Sequence, residues 1–195
     1  RFGFSAKMTL SLAQALYERH KVLTYPRTDS RALPEDYIST VQDTLGEMKD
    51  SQYGIFASKI LESEWVKPSK RIFNNSKISD HFAIIPTSLQ PKKLNEAEQK
   101  LYDLVTKRFL AIFYPAAEFL VTTRVTRVEN EPFRTEGKVM VNPGWQSVYG
   151  KEVRANGTDK DSVLVAVKQN ESVQAEEIEI VANQTRPPAR FNEAT

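Results

Sequence analysis

The stretch LTYPRTDS, residues 23–30, decides how the rest of this chain is read. It sets a tyrosine, a proline, an arginine, a threonine, an aspartate and a serine in a row. No stable helix or regular strand favours that mixture. Pro26 has no N–H for a helix interior, and its ring pushes Tyr25 towards extended backbone. In extended backbone, residues two apart point to the same side. Arg27 therefore shares the side of Tyr25, and Asp29 follows it. A tyrosine hydroxyl, with a pKa near ~10, is a poor nucleophile at neutral pH. To attack a phosphodiester it needs positive charge beside the reacting phosphate. Arg27 could grip that phosphate with its bidentate fork. Asp29 could orient the arginine, and Thr28 and Ser30 could donate to phosphate oxygens. The same residues also read as a polar turn, with Tyr25 half buried and an Arg27–Asp29 surface bridge worth under ~1 kcal/mol.

Around this stretch the chain is ordinary for a soluble globular protein. Of its 195 residues 40% are hydrophobic and 27% charged, enough for a core and against disorder as the default. There is no cysteine, which excludes disulfides, thiolate metal sites and cysteine nucleophiles. No apolar run of ~20 residues suggests a membrane span. The net charge of +2 is too small to argue for a nucleic-acid partner by itself. Its distribution says more: residues 1–34 hold six Lys and Arg against Glu18 and Asp29, so positive charge gathers around the tyrosine. The chain opens on Arg1 rather than methionine, and reads as a piece of something longer.

Residues 5–20 predict a helix with Ser5 as its N-cap. Met8, Leu12 and Leu16, with Ala13 and Tyr17 beside them, form an apolar stripe expected to face the core. Val22 to Thr24 predict a short extended piece. Pro34, Glu35 and Asp36 predict the start of a second helix that runs to about Leu45, with Gly46 as its stop. A short helix is expected around Tyr53–Glu62, and a basic polar loop over Lys67–Lys77. Asn95 with Glu98 three residues on predicts a capped helix from there to Pro115. From about residue 117 the composition changes. LVTTRVTRV (120–128) and FRTEGKVMV (133–141) read as strands around a turn at Glu129–Glu131, and Asn142-Pro143-Gly144 as a second turn. SVLVAVKQN (162–170) and SVQAEEIEIV (172–181) predict another hairpin, with a loop tip at Asn156-Gly157-Thr158. The fold class expected is α+β: a helical part over 1–116 followed by antiparallel strands.

His81 follows Ser79-Asp80 and precedes the apolar run Phe82–Ile85. An adjacent aspartate can keep a histidine protonated near a phosphate. A lone histidine at the edge of a strand is also a common structural residue.

TYPRTDS at 24–30, preceded by the helix FSAKMTLSLAQALYERHKVL, resembles the active-site region of type IA DNA topoisomerases. The proline after the tyrosine is most like the topoisomerase III branch. The resemblance continues through SDHFAIIPT (79–87), FRTEGKVMVNPGWQSVYG (133–150) and TRPPARFNEAT (185–195). It implies that Tyr25 is a nucleophile that forms a 5′-phosphotyrosyl bond with one DNA strand. Arg27 would stabilise the attacked phosphate, and His81 would act beside it. Thr24, Asp29 and Thr87 would support them, and Lys7, Arg31 and Arg190 would contact DNA. Strand passage and resealing would need no ATP.

The resemblance also implies an architecture and partners. Residues 1–116 would form a helix-rich, winged-helix-like (CAP-like) domain holding the tyrosine. Residues 117–184 would be part of the antiparallel arch domain, incomplete and with an edge prone to pair with another copy. Residues 185–195 would lead into a further DNA-binding domain, where the roles of Arg190 and Glu193 stay open. Single-stranded DNA is the expected partner, with room for a helicase, and the expected location is the bacterial cytoplasm at the nucleoid. The family's Mg²⁺ is held by a TOPRIM domain, and no Asp-x-Asp-x-Glu cluster stands in this sequence. Asp159-Lys160-Asp161 lacks a third carboxylate and reads as a solvated loop. The chain alone should therefore not cleave DNA.

Other tyrosine chemistries fit less well. A relaxase-type nickase needs a paired-histidine metal motif, and His20 and His81 are far apart in sequence. A tyrosine recombinase usually shows a His-x-x-Arg box ahead of its tyrosine, whereas His81 follows Tyr25. An alternative of a different class is a non-catalytic single-stranded DNA-binding module, with Phe2, Phe4 and Tyr25 stacking on bases.

Overall fold

The computed structural model describes residues 2–150, 164, 167–174 and 179–188. Four helices, α1 (Ala6–Glu18), α2 (Ile38–Glu47), α3 (Gly54–Glu62) and α4 (Glu96–Ala111), precede two strands, β1 (Glu118–Val128) and β2 (Glu131–Asn142). The protein is α+β, and the described residues hold a two-stranded antiparallel sheet.

Helix α1 begins where Ser5 accepts the Met8 N–H at 3.2 Å. Leu16 is fully buried, and Leu12 and Ala13 pack on the core. Met8, expected on the same buried stripe, is 42% exposed. The stripe turns inward only where α1 meets α4. That helix carries the expected capping box: Asn95 Oδ1 accepts the Glu98 N–H at 2.9 Å, and Glu98 returns a bond to the Asn95 N–H at 3.0 Å. Glu98 also pairs with Arg19 and lies 3.3 Å from His20 Nε2, fastening the end of α1 to the start of α4.

Helix α2 starts at Ile38, later than Pro34 and its two acids predict. Glu35 is held elsewhere: its N–H donates to Asn75 Oδ1 at 3.0 Å, and its carboxylate takes Lys70 at 2.6 Å. Residues 34–37 are thereby kept as a turn. Gly46 lies inside the helix rather than ending it. The Lys67–Lys77 segment is not the open polar loop its charges suggest. Ile72 and Phe73 are buried, and Leu33 pairs with Phe73 in a parallel bridge. Arg71 Nη2 donates to Ile112 O at 3.1 Å, placing a cation at the carbonyl end of α4.

The β1–β2 register pairs Val128 with Glu131, so Glu129 and Asn130 form a two-residue turn. Both have positive φ, +49° and +66°, as the right-handed strand twist demands of such turns. Leu120, Val121, Val125 and Phe133 remain exposed on the hairpin. After β2 a 3₁₀ turn, Gly144–Tyr149, returns to α4 and buries Val148. Of the second expected hairpin, the described residues 164, 167–174 and 179–181 carry no strand. The remainder of it, the loops at 156–161, Arg190 and Glu193 lie outside the described residues. Among the described residues no helix is long and apolar enough to cross a membrane.

Candidate active site around Tyr25

Tyr25 sits where two extended segments meet. Thr24 N–H donates to Ile85 O at 2.9 Å, and Thr87 N–H donates to Val22 O at 3.0 Å. Leu23 and Pro86 form an antiparallel bridge, and both are buried. Further along, Ala83 N–H donates to Ala32 O at 2.9 Å. The segment between them alternates. Pro26 and Ala32 are buried, Thr28 and Ser30 half-buried, and Arg27, Asp29 and Arg31 exposed. Extended geometry thus turns the charges outward and the hydroxyls inward.

Those inward hydroxyls are committed to main chain. Thr28 Oγ1 donates to His81 O at 2.9 Å and accepts the Ser30 N–H at 3.0 Å. Ser30 Oγ donates to Lys77 O at 2.8 Å and accepts the Ala32 N–H at 3.2 Å. Each hydroxyl has a single hydrogen, so neither is left to donate to a phosphate, contrary to the sequence expectation. Thr24 and Thr87 are used in the same way. Thr24 Oγ1 donates to Ala83 O at 3.1 Å and accepts the Ile85 N–H at 2.9 Å. Thr87 Oγ1 donates to Lys21 O at 2.7 Å. Four side chains therefore stitch the tyrosine segment to the histidine segment.

The stitching brings two distant residues together. The His81 ring lies 4.1 Å, centroid to centroid, from the Tyr25 ring at a tilt of 38°. Arg27, Thr28, Asp29, Ser79, Asp80 and His81 line an open cavity of about 350 Å³. The exposed Arg27 side chain lines this cavity, and its guanidinium forms no ion pair or hydrogen bond among the described residues. Asp29 does not orient it. Two exposed side chains gain too little from pairing in water to hold one geometry. Nor do Asp80 and His81 pair. Lys7 and Arg31 are exposed, and neither lines this cavity.

Sequence reading missed Tyr17. Its place beside the apolar stripe of α1 predicts a core residue, yet its ring meets Tyr25 edge-on at 5.5 Å and 88°. Lys21, past the end of α1 with φ +58°, brings its ammonium to 5.6 Å from the same ring, a contact that helix periodicity could not signal. Among the described residues no three His, Asp or Glu side chains group so as to hold a metal ion. Asp29 and Asp80 alone do not make a seat for the Mg²⁺ that the resemblance implies.

What the arrangement can do chemically is limited and specific. A phenol packs against an imidazole that lines an open cavity, and a guanidinium without a partner among the described residues lines the same cavity. That set suits a phosphate diester approaching the tyrosine hydroxyl.

The chain is similar to known proteins along its whole length. A family model described as DNA topoisomerase matches residues 1–195. The chain is 43% identical over 199 residues to DNA topoisomerase 3 of Bacillus subtilis, covering all of this chain and 27% of that protein. It is 42% identical over 200 residues to DNA topoisomerase 3 of Bacillus cereus, again spanning 27% of its length. The chain thus spans about a quarter of these relatives. Among solved structures, full-length topoisomerase I from Thermotoga maritima shares its fold, with a TM-score of 0.55 at 21% identity. That likeness covers 88% of this chain and 27% of the other. With the family match running end to end, this chain belongs to the type IA DNA topoisomerase family.

Proposed function

We propose that Tyr25 is the nucleophile with which the full-length enzyme cleaves one strand of DNA. Its hydroxyl oxygen attacks the phosphorus, the bond to the 3′ oxygen breaks, and that oxygen leaves with a proton. The 5′ phosphate stays on the tyrosine. Resealing reverses the exchange, with the 3′ hydroxyl attacking and the phenol leaving. One phosphodiester is traded for another, so the cycle uses no ATP.

The observation that carries this reading is that Arg27, without a partner among the described residues, lines one cavity with His81, whose ring packs on Tyr25. Arg27 neutralises the non-bridging oxygens as charge builds in the transition state. His81 contacts the same phosphate and assists proton transfer. Thr24 and Thr87 fix the backbone on either side of the attack. Lys7, Arg31 and Arg190 contribute backbone contacts to single-stranded DNA. Residues 1–116 act as the winged-helix-like tyrosine domain, 117–184 as part of the arch, and 185–195 as the entry to a DNA-binding domain. The exposed edge of the arch hairpin pairs with the rest of that domain or, in its absence, with a second copy. The enzyme works in the bacterial cytoplasm at the nucleoid. Mg²⁺ and its ligands come from other parts of the enzyme, so this chain alone does not cleave.

A covalent trap tests the reading. Full-length enzyme is incubated with Mg²⁺ and a labelled single-stranded oligonucleotide, quenched with SDS and peptide-mapped. The expected result is an adduct on Tyr25 that is lost in Tyr25→Phe. No adduct from a folded, DNA-binding enzyme would overturn the assignment and leave a non-catalytic DNA-binding module.

A further inference from the structure

Besides the cavity lined by Arg27 and His81, a second one is lined by Tyr25 itself. An open cavity of about 310 Å³ is walled by Tyr17, Lys21, Thr24, Tyr25, Phe82 and Thr87. The Tyr17 and Tyr25 rings meet edge-on, so they make a corner rather than a closed stack. The Lys21 ammonium stands 5.6 Å from the centre of the Tyr17 ring and forms no ion pair with a carboxylate among the described residues. The Thr24 and Thr87 hydroxyls already donate to main-chain carbonyls. The cavity therefore offers flat π surfaces, a cation with no carboxylate partner among the described residues, and few hydrogen-bonding groups.

These features select an occupant. It must be flat, π-faced and attached to negative charge, and it must need no edge-specific hydrogen bonds. An unpaired nucleobase on a phosphodiester backbone meets all of these conditions, because stacking on aromatic side chains is indifferent to base identity. The phosphate cavity, by contrast, carries the two carboxylates Asp29 and Asp80, while no carboxylate lines this one. We infer that this cavity seats the base of a nucleotide flanking the scissile phosphate, against Tyr17, with Lys21 drawing in the adjoining backbone phosphate. The inference rests on the proposed function and deepens it. It places Tyr25 in the wall of the base site and its neighbour His81 in the wall of the phosphate site, so base seating sets which phosphate meets the hydroxyl.

The test is a binding cycle on full-length enzyme carrying Tyr25→Phe, which keeps the ring and abolishes turnover. Oligonucleotides carry an abasic position on one side or the other of the mapped cleavage site. The abasic change at one flanking position is expected to weaken binding about tenfold. Tyr17→Phe added to this background should retain that loss. Tyr17→Leu should bind the intact oligonucleotide about tenfold more weakly and show no further loss with the abasic one. Lys21→Ala should lower the salt dependence by about one counterion. Equal abasic penalties with Tyr17 and with Leu in its place, or no penalty at either flank, would overturn the base seat. Binding reads this cycle, whereas the covalent trap reads the nucleophile, so either can fail alone.

Discussion

The Thr28 hydroxyl donates to the main-chain carbonyl of His81 at 2.9 Å, tying the histidine to the strand that carries the tyrosine. His81 is exposed and its ring has no hydrogen-bond partner among the described residues, so its place over Tyr25 depends on the backbone beneath it. Thr28→Val removes the hydroxyl and leaves the His81 carbonyl and the Ser30 N–H without partners. The expected cost is about 1–2 kcal/mol of stability by denaturant unfolding, with a larger loss in cleavage rate. Thr28→Ser should restore both.

Arg27 and Asp29 lie two residues apart and make no contact through their side chains. Arg27→Ala should lower the cleavage rate of the full-length enzyme by about 10²-fold, the scale of losing one transition-state donor. Asp29→Ala should add independently, with a coupling within about 0.5 kcal/mol in a double-mutant cycle. A strong coupling would mean that the two pair once DNA is bound.

Glu98 is a buried carboxylate with 3% of its side chain exposed. Burial by itself raises its pKa, but the Asn95 N–H and the charges of Arg19 and His20 outweigh it and hold it below the usual glutamate value. A depressed folded pKa contributes stability above the unfolded value, near ~4.3, and loses it as pH falls through the folded one. Unfolding free energy should therefore drop as pH is lowered from about 5. Glu98→Gln should cost on the order of 2–3 kcal/mol at neutral pH and flatten that dependence in urea titrations.

Gly144 has φ +48°, and a Cβ there would stand 2.4 Å from Ala116 O and 2.5 Å from Pro115 O. Both obstacles are backbone and cannot rotate away. Gly144→Ala is expected to cost about 2–4 kcal/mol and to loosen the 3₁₀ turn from α4. Amide exchange at Trp145, whose N–H donates to Pro115 O at 2.9 Å, would report it directly.

Much of the architecture was legible because it depends on local signals. Ser5 and Asn95 marked helix starts through a side-chain oxygen and the next turn's N–H, a relationship contained in four residues. The alternation over 120–128 and 133–141 marked the first hairpin for a similar reason. Helix α2 was misplaced because its start is set from outside: Glu35, read as a first-turn acid, is engaged by Lys70 and Asn75. Ile72 and Phe73 were hidden in a polar segment for the same reason, since their burial depends on Leu33.

The site divides along the same line. The sequence by itself determined that Tyr25 lies on extended backbone with Arg27 on its side, because Pro26 fixes the local dihedrals and extended chain alternates. It also determined the family, through ordered motifs that no single turn would supply. Only the tertiary structure decided that His81 and Tyr17 both touch the tyrosine. It likewise decided that Arg27 stands free of Asp29, and that Thr28 and Ser30 hold backbone rather than face a phosphate. Those outcomes turn on which groups from distant segments arrive within about 3 to 4 Å, where a hydroxyl's one hydrogen and a cation's partner are settled.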